Sequence, residues 1–508
     1  MKVKKAEHAQ TLLKAGKIDE AKAYCASWIE LAENAKDNSD AALANHSLGL
    51  VLAKKGDWKS ALSAFSKAIS FDSNIAEYHT NISNVHLSLG NLDEALQHLN
   101  QSLRIHPHHT VSYNNLGRIL YLQGRINEAI PYFEKALRIN PDYWEAHYNL
   151  AHSMVKLNQV TRAAEHYQMV IKLFPEHPNA HFNLGLLSME EKNYEDAVHY
   201  FTKSLKLDPK NLEAYRQMGD AQLNLGKKDE AKATFLKALE INPNSSEIQH
   251  NLAILHLRDK ERDEALNHFK KAVDLNPQDH TAQHMTQALS GNQESLTAPK
   301  TYIKDLFDQY ADYYNKHVKE SLKYEVPGLL RNAIGRVISP GYRIGRVLDL
   351  GCGTGLCGIY FRDLAFELIG IDISPKMIER AEQLKGYDSL IVRDMIEYLS
   401  DEKLEPFLLI FSADVLVYTG DLEKVFTLIA KKLKPNGLFA FTTEWIEDAE
   451  TKSYFLKPTG RFAHASGYIR DLAERHQLKI ELAEKIIPRE HEGTPIQGEL
   501  FILRSLKD

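Results

Sequence analysis

The first half of the chain repeats a pattern of small, apolar and polar positions every 34 residues. Each period holds small residues at two helical positions, and a proline closes it. The prolines are Pro107, Pro141, Pro175, Pro209, Pro243 and Pro277. One small position is filled by Ala61, Ala95, Ala129, Ala163, Ala197, Ala231 and Ala265. The pattern predicts seven similar units over residues 42–279.

The other small position is filled by Gly49, Gly117, Gly185 and Gly219, with Ser83, Ala151 and Ala253 in the remaining units. A 34-residue period with these features resembles the tetratricopeptide repeat, which implies two antiparallel helices per unit in an all-α superhelical solenoid. Small side chains let the paired helices approach, and the proline ends the second helix. A degenerate eighth unit near 2–36, marked by Gly16 and Ala21, is predicted to cap the array.

The pattern changes after Pro277. A polar stretch predicts a capping helix and then a linker at 291–300, which gives a repeat domain at 1–290 and a second domain at 301–508. Apolar runs alternate with helical segments in the second domain, which predicts a parallel α/β sheet. The predicted strands are 346–350, 367–371, 389–393, 407–412 and 437–443, followed by two late strands at 478–487 and 498–504.

A glycine-rich turn follows the first predicted strand. Asp349 is followed by Gly351, Gly353 and Gly355, and Asp372 ends the next strand. A buried strand, a glycine turn, a helix and a second strand ending in an acid form half of a nucleotide-binding α/β unit. Glycines let the backbone approach a ligand closely, and the carboxylate of Asp372 can accept hydrogen bonds from ribose hydroxyls.

The Gly-x-Gly-x-Gly spacing, led by an acid, resembles motif I of class I S-adenosylmethionine (SAM) methyltransferases. The resemblance implies a Rossmann-like seven-stranded domain whose last strand is antiparallel, with SAM as cofactor. Asp349 would fix the turn and reach the methionine amino group, Asp372 would hold the ribose, and Asp394 would accept from the adenine amino group. The expected cofactor residues are Asp349, Gly351, Cys352, Gly353, Gly355, Asp372, Ile373, Asp394, Met395 and Tyr310.

The candidate acceptor site follows the fourth predicted strand. A loop with Asp414 and Tyr418 is expected to face the methyl group, with Glu444, Arg461 and His464 as further candidates. The candidate catalytic residues are Asp414, Tyr418 and His464. A base among them would be needed only if the acceptor must lose a proton as it attacks. Tyr418 can instead cover the adenine, and His464 can serve as a packing residue at a helix start.

The sequence also excludes some chemistries. No Asn/Asp-Pro-Pro-Tyr/Phe tetrad follows the fourth strand, which argues against amino-group methylation of DNA adenine or protein glutamine. No Cys/His spacing typical of zinc is present, so no metal is expected.

The segment Phe307-Asp308-x-Tyr310-Ala311 resembles the start of several small-molecule methyltransferases, including quinone-biosynthesis types, in which this helix covers SAM. It implies that Tyr310 or His317 contacts cofactor or substrate, although an amphipathic packing helix explains the pattern equally well. Residues 302–507 resemble a bacterial group of predicted methyltransferases fused to tetratricopeptide repeats, in the glycine turn, in Arg461-x-x-His464 and in a glycine- and proline-containing motif after Arg489.

An asparagine recurs on the first helix of the repeats, two positions before the small residue. Such a ladder on the inner surface can donate to and accept from a peptide backbone. The alternative is that the amides bond within or between repeats. The candidate partner-binding residues are Asn81, Asn115, Asn149, Asn183 and Asn251.

Composition and charge limit the partners and the cellular compartment that we expect. The formal net charge is −6, so no general attraction to nucleic acid is expected. The three cysteines, Cys25, Cys352 and Cys357, form no disulfide framework, and no signal-peptide or membrane-spanning run is present, which favours the cytoplasm.

Three hypotheses follow. The first is a SAM-dependent methyltransferase whose repeat array recruits a protein substrate or partner. The second is a small-molecule methyltransferase with the array as a scaffold. The third is a non-catalytic repeat protein that binds SAM.

Overall fold

The computed structural model describes residues 2–291, 297–311, 314–320, 322–339, 341, 343–446, 453–491 and 493–507. The chain separates into two compact units, Met1–Ile241 and Asn242–Asp508, which are described one at a time.

In its described residues the first unit is built from helix pairs joined by short turns. The helices are α1 (Lys2–Lys14), α2 (Ile18–Asn34), α3 (Asn38–Lys55), α4 (Trp58–Phe71), α5 (Ala76–Ser88), α6 (Leu92–Ile105), α7 (Thr110–Leu122), α8 (Ile126–Ile139), α9 (Trp144–Lys156), α10 (Val160–Leu173), α11 (Pro178–Glu190), α12 (Tyr194–Leu207), α13 (Leu212–Asn224) and α14 (Lys228–Ile241). The degenerate segment at the start of the chain forms the helix pair α1 and α2.

In several helix pairs, a glycine packed against a phenylalanine sets the distance between the two helices. A Cβ added to Gly117 of α7 would lie 2.6 Å from the ring of Phe133 on α8, which is fully buried. A real Cβ cannot come so close, so only glycine allows these two helices their separation. The same pairing recurs at Gly49–Phe65, Gly185–Phe201 and Gly219–Phe235. The prediction that small residues bring the paired helices together is confirmed.

A second repeated feature links each first helix to the turn before it. His147 bonds through Nε2 to the carbonyl oxygen of Pro141 at 3.0 Å, and its Nδ1 lies 2.8 Å from Nδ1 of His166 on α10. The same positions in another unit place Nδ1 of His79 3.1 Å from Nδ1 of His98. Two ring nitrogens at this distance can share only one proton, so neither pair accommodates two imidazolium ions.

The second unit begins with three more repeat-type helices and continues into an α/β domain. Its helices are α15 (Ser246–Arg258), α16 (Arg262–Leu275), α17 (His280–Ser290), α18 (Lys300–Tyr310), α19 (Tyr314–Glu320), α20 (Val326–Val337), α21 (Leu356–Phe361), α22 (Pro375–Leu384), α23 (Met395–Leu399), α24 (Glu423–Lys432) and α25 (Ser466–Arg475). Its strands are β1 (Ile344–Leu350), β2 (Ala365–Asp372), β3 (Ser389–Val392), β4 (Phe407–Ser412), β5 (Leu433–Trp445), β6 (Tyr454–Leu456), β7 (Phe462–His464), β8 (Leu478–Ile486), β9 (Glu490–His491), β10 (Thr494–Pro495) and β11 (Gly498–Ser505).

The main sheet follows the order β3-β2-β1-β4-β5-β11-β8, with β11 antiparallel to both of its neighbours. The predicted seven-stranded sheet with an antiparallel last strand is confirmed along this path. Strands β6 and β7 form an antiparallel pair, and β7 extends the sheet beside β5, so the described residues contain nine strands in this sheet. Three-residue strands show too little periodicity to be predicted from sequence.

Successive residues of β1 enter different cores. Leu348 packs with α24 and α25 on one face, and Val347 packs with α20 and α21 on the other. Burial on both faces explains the continuous apolar runs of the parallel strands. It also leaves the carboxyl ends of β1, β2 and β4 together at one edge, where open α/β sheets bind ligands.

The capping helix α17 packs directly on the α/β domain within this unit. Ala288 shares a buried cluster with Leu456 and Phe462, and the His284 ring lies 4.8 Å from that of Tyr302. The predicted helix after Pro277 is therefore confirmed as an element. The predicted linker falls partly on residues 292–296, which lie outside the described residues, so the domain boundaries stay predictions.

Candidate functional site

The turn after β1 depends on glycine. Gly351 has φ +81° and Gly355 has φ +89°, in the left-handed region that L side chains rarely adopt. A Cβ on Gly351 would also collide with Val415, and one on Gly355 would lie 3.1 Å from the Cα of Ala381. These glycines pack the turn against the neighbouring loop and against α22.

Two acids stand on either side of this turn. Asp372, at the end of β2, accepts hydrogen bonds from the backbone N–H of Gly353 at 2.9 Å and of Ser374 at 2.8 Å. Burial raises its pKa to about 6. Asp349 is fully buried in β1 and accepts from the hydroxyl of Tyr387 at 2.7 Å, and burial raises its pKa to about 7.

A pocket opens where the strand ends meet. Its described lining residues are Ile303, Phe307, Tyr314, Gly351, Gly353, Ile371, Asp372, Ile373, Met377, Arg393, Asp394, Met395, Ala413, Asp414, Val415, Tyr418 and Thr419. Eight residues selected from the sequence are among them: Gly351, Gly353, Asp372, Ile373, Asp394, Met395, Asp414 and Tyr418. These eight residues come from four separate loops, which the fold brings together at the pocket.

The remaining selected residues do not line the pocket. Asp349, Cys352 and Gly355 lie beneath or behind the turn, where Asp349 and Cys352 are buried among side chains. The hydroxyl of Tyr310 contacts Nδ1 of His317 instead of the pocket. Tyr314, on the next helix, lines the pocket in its place. These four residues do not line the pocket, and the expectation that they contact a cofactor stays a prediction.

Asp394 lies at the opposite end of the pocket from the loop after β4. It caps α23 by accepting from the backbone N–H of Glu397 at 3.1 Å. Lys300 of α18 approaches the same carboxylate at 2.9 Å and also reaches Glu397 at 2.6 Å. The carboxylate is held at the helix start, where it also lines the pocket.

Helices α18 and α19 supply the apolar side of the pocket. Phe307 and Tyr314 lie 6.4 Å apart between ring centroids, and Phe307 meets Tyr418 edge-on at 5.5 Å. The backbone N–H of Ala298 donates to the carbonyl oxygen of Tyr418 at 2.9 Å, which ties the start of this segment to the loop after β4. The sequence marked this segment but not Phe307 or Tyr314 as lining residues.

A buried group of charges borders the loop after β4. We call Asp414, Glu444, Lys457, Arg461 and Arg489 the charge cluster. The guanidinium of Arg489, only 5% exposed, bridges both carboxylates of the cluster. Lys457 reaches Glu444 at 2.8 Å. Burial opposes the ionisation of Glu444, but the three cations outweigh it, so the pKa of Glu444 lies below its ordinary value.

His464 takes a structural position. It ends β7 and is buried, with Nε2 2.9 Å from the carbonyl oxygen of Thr419 and 3.1 Å from that of Gly420. Two carbonyl acceptors require Nε2 to carry a proton. Burial lowers the pKa of His464 to about 4. The ring does not line the pocket, which favours the packing alternative over a general base, and it connects β7 to the loop after β4.

The asparagines of the repeats bond between neighbouring repeats. The amide nitrogen of Asn115 donates to Oδ1 of Asn84 at 2.8 Å, and that of Asn149 donates to Oδ1 of Asn114 at 2.8 Å. Asn81 lies 2.8 Å from Nε2 of His46, Asn183 contacts Tyr148 and His152, and Asn251 holds the same place in α15. The described contacts favour the inter-repeat alternative, and peptide binding by this ladder stays a prediction.

The described residues contain no group of three or more His, Cys, Asp or Glu side chains arranged to hold a metal ion. None of their helices combines the length and apolar character needed to cross a membrane.

Comparison with known proteins agrees with this geometry. Residues 344–484 match the family model described as "Methyltransferase domain". Tetratricopeptide repeat models match residues 7–75, 72–142, 120–184, 188–255 and 246–279. The fold and the pocket therefore define a methyltransferase domain, and the chain combines it with tetratricopeptide repeats.

Relatives cover only parts of the chain. The chain is 26% identical over 180 residues to malonyl-[acyl-carrier protein] O-methyltransferase of Salmonella typhimurium, over 35% of this chain and 68% of that protein. It is 35% identical over 114 residues to ribosomal protein L11 methyltransferase of Shewanella halifaxensis, over 22% and 37% of the two chains. The chain spans about half of the other malonyl-[acyl-carrier protein] O-methyltransferases that it matches.

Among solved structures, YrrB, described as a TPR protein with an unusual peptide-binding site, aligns with a TM-score of 0.35 and 21% identity. The alignment covers 37% of this chain and 97% of that one.

Proposed function

We propose that the protein is a SAM-dependent methyltransferase. The observation that carries the proposal is the pocket at the carboxyl ends of β1, β2 and β4, which joins the glycine turn to Asp372, Asp394 and the loop holding Asp414. The pocket offers one acid that can bind a ribose and a second that can bind an adenine. It also offers a loop that can face an acceptor, and the three occur in the order that the cofactor requires.

The residues present fit SAM. Gly353 lines the pocket with φ +55°, and an added Cβ there would meet nothing within 4 Å, so its backbone is open to a ligand. Asp349 beneath the turn has one buried oxygen, Oδ1, with no hydrogen-bond partner among the described residues. Asp372 is proposed to hold the ribose and Asp394 the adenine, and Oδ1 of Asp349 is the acceptor left for the amino group.

The protein's own contribution is mostly positioning. The cofactor would supply a methyl group already activated by a sulfonium. Ile303, Phe307 and Tyr314 exclude water from one side of the pocket, and Tyr418 and Asp414 border the region where an acceptor would enter. Aligning an acceptor in a dry site is the main requirement of such a reaction.

Calorimetric titration of SAM into the full chain tests the cofactor site. We expect Asp372→Ala to weaken binding at least about tenfold, since it removes the proposed ribose acceptor. Asp363→Ala is the matched control, because Asp363 is 72% exposed and remote from the pocket lining. A folded wild-type protein that does not bind SAM would contradict the proposal. Binding without formation of S-adenosylhomocysteine in the presence of acceptors would favour the non-catalytic SAM-binding alternative.

For the repeats, we propose recruitment of a protein in the cytoplasm, as substrate or as partner. The repeat matches support an interaction role. Because α17 packs on the α/β domain, the test compares the full chain with residues 242–508. Methylation that falls only when the first unit is removed supports recruitment. Equal rates would show that the array does not select the substrate.

A small-molecule acceptor is the second candidate. It is favoured by the aromatic side of the pocket formed by Phe307 and Tyr314, which restricts the space beside the loop after β4. The two relatives are named for an acyl-carrier protein and for a ribosomal protein, so their names do not favour a free small molecule.

A further inference from the structure

We propose that the methyl acceptor is a carboxylate and that Arg461 binds it beside the pocket. The proposal rests on the proposed methyltransferase function and names the substrate class of the same site. The carboxylate can belong to a small acid or to a protein, since the recognising chemistry is the same.

The described residues of the charge cluster carry more positive than negative charge. Three cations, Lys457, Arg461 and Arg489, face two carboxylates in the described residues. Charges that are largely shielded from water are most stable when each one is compensated. The positive excess therefore favours a negatively charged ligand.

Arg461 is the cation of the charge cluster whose N–H donors are least engaged by the cluster's carboxylates. Arg489 bridges Asp414 and Glu444, and Lys457 bonds to Glu444. The Arg461 guanidinium lies 3.6 Å from Asp414 and 3.9 Å from Glu444, beyond hydrogen-bond distance. A guanidinium with no hydrogen-bonded carboxylate among the described residues can bind a further carboxylate through two parallel hydrogen bonds.

Arg461 lies beside two residues that line the pocket. Its guanidinium lies 5.5 Å from the centre of the Tyr418 ring, and its side chain is 25% exposed. Tyr418 and Asp414, its two neighbours, both line the pocket. An anion bound to Arg461 would thus lie next to the region where the methyl acceptor is expected.

The described residues beside the loop after β4 offer no free base to the pocket. Asp414 is held by Arg489, and His464 does not line the pocket. Burial raises the pKa of Tyr418 and Tyr314, which keeps both hydroxyls protonated. An acceptor that needs a base to remove its proton is poorly served here, whereas a carboxylate is already ionised at neutral pH.

The reaction balances without a proton transfer. A carboxylate oxygen forms a bond to the methyl carbon of the sulfonium donor. The carbon–sulfur bond breaks, and its electron pair stays on sulfur. The products are a methyl ester and a thioether, and the negative charge of the acid and the positive charge of the sulfonium are neutralised together.

Binding of simple probes tests the proposal without turnover. Succinate and its neutral analogue succinamide are titrated into the full chain, with and without S-adenosylhomocysteine, and followed by ligand line broadening. We expect binding of succinate only, weakened at least about tenfold in Arg461→Gln and largely kept in Arg461→Lys. Arg470→Gln, an exposed arginine on α25, is the control and should behave as wild type. Equal responses to succinate and succinamide, or an unchanged response in Arg461→Gln, would overturn the proposal.

The product tests the same inference chemically. Transfer of labelled methyl to acceptors in a cell extract should give label that mild alkali releases as methanol, because esters hydrolyse and methylated amines do not. Acid precipitation separates protein-borne from small-molecule esters. Alkali-stable label would overturn the carboxylate acceptor while leaving the methyltransferase intact. A protein that binds no SAM and transfers no label would instead contradict the proposed function, and the succinate titration would then decide the anion site on its own.

Discussion

Nε2 of His284 donates a hydrogen bond of 2.9 Å to the carbonyl oxygen of Gly460. His284 belongs to the last repeat-type helix, α17, and Gly460 lies in the turn between β6 and β7 of the α/β domain. Both groups are buried, and burial lowers the pKa of His284, so its ring is the neutral Nε2–H form. Within the second unit, the end of the repeat array is therefore part of the same packed structure as the sheet.

A substitution at Gly460 tests this contact. Gly460 has φ +76°, and an added Cβ would lie 2.9 Å from the Tyr302 hydroxyl and 3.1 Å from the sulfur of Met285. We expect Gly460→Ala to destabilise the second unit by about 1–3 kcal/mol through strain and overpacking. Hydrogen exchange of the α17 amides is the measurement. Gly467→Ala is the control, because a Cβ there meets nothing within 4 Å. Equal protection of α17 in both variants would contradict the expectation.

Helix spacing in the repeats gives a second prediction. Gly117→Ala should destabilise the pair α7 and α8 by about 1–3 kcal/mol, because its Cβ would overlap the ring of Phe133. Adding Phe133→Leu should recover part of this loss, since the smaller side chain can move away. Hydrogen exchange of both helices measures the effect. Additive destabilisation in the double variant would rule out the proposed steric cause.

The histidine pairs predict a loss of stability in acid. Burial, followed by the nearby charge of His147, lowers the pKa of His166 to about 4, below the value of about 6.5 expected when unfolded. Between these values the unfolded chain binds more protons, so stability is complete above pH 6.5 and falls as the pH drops toward 4. Each such histidine contributes at most about 1.4 kcal/mol per pH unit.

His166→Tyr isolates this contribution. It reproduces the pairing of His181 with Tyr200 in the next repeat, where the rings lie 6.5 Å apart. We expect a smaller decrease in unfolding free energy between pH 7 and pH 5 than in the wild type. An identical pH dependence would show that the His147–His166 pair does not titrate on unfolding.

Asp372 makes the affinity for SAM depend on pH. Burial raises its pKa to about 6, and the ionised carboxylate is the better acceptor for ribose hydroxyls. Affinity should therefore rise about tenfold from pH 5 to pH 7, as expected for a group with this pKa. Calorimetry at pH 6 in buffers of different ionisation enthalpy should detect proton release on binding. Asp372→Asn should bind more weakly and lose this proton release; its persistence would assign the titration to another group.

The charge cluster predicts different roles for its two arginines. Arg489→Gln leaves the buried carboxylates of Asp414 and Glu444 without their main partner, so we expect a loss of about 3–5 kcal/mol in stability. Arg461→Gln should change stability far less, because its guanidinium lies 3.6 Å from Asp414 and 3.9 Å from Glu444, farther than that of Arg489. Denaturant unfolding of the second unit measures both. Restoration of Arg489→Gln by Glu444→Gln would identify the uncompensated charge as the cause.

Local patterns were sufficient to predict much of this molecule. The 34-residue period defined the helix pairs because each repeat contacts mainly its neighbours. The strand runs and the turn at Gly351 were evident because parallel strands are buried on both faces and because positive φ requires glycine. Asp372 and Asp394 were found because they follow strands at a regular spacing along the chain.

Contacts between distant segments could not be predicted in this way. Arg489 and Glu444 are separated by 45 residues, and no periodicity relates them. Phe307 and Tyr314 look like ordinary amphipathic positions until α18 and α19 fold against the pocket. The role of His464 stayed open for a similar reason: its partners are backbone carbonyls, which leave no signal in a side-chain pattern.

The glycine–phenylalanine pairs restrict how the repeats can change over time. In four repeats a glycine meets the phenylalanine that follows it by sixteen residues, and where Ser83 replaces the glycine, Leu99 stands in place of the phenylalanine. Where alanine replaces the glycine the second residue is still a large ring, Tyr167 for Ala151 and Phe269 for Ala253, so only a residue larger than alanine at the first position calls for a smaller one at the second. Mutations at these two sites should therefore be inherited together, and covariation at this separation should persist even where overall similarity between repeats has been lost.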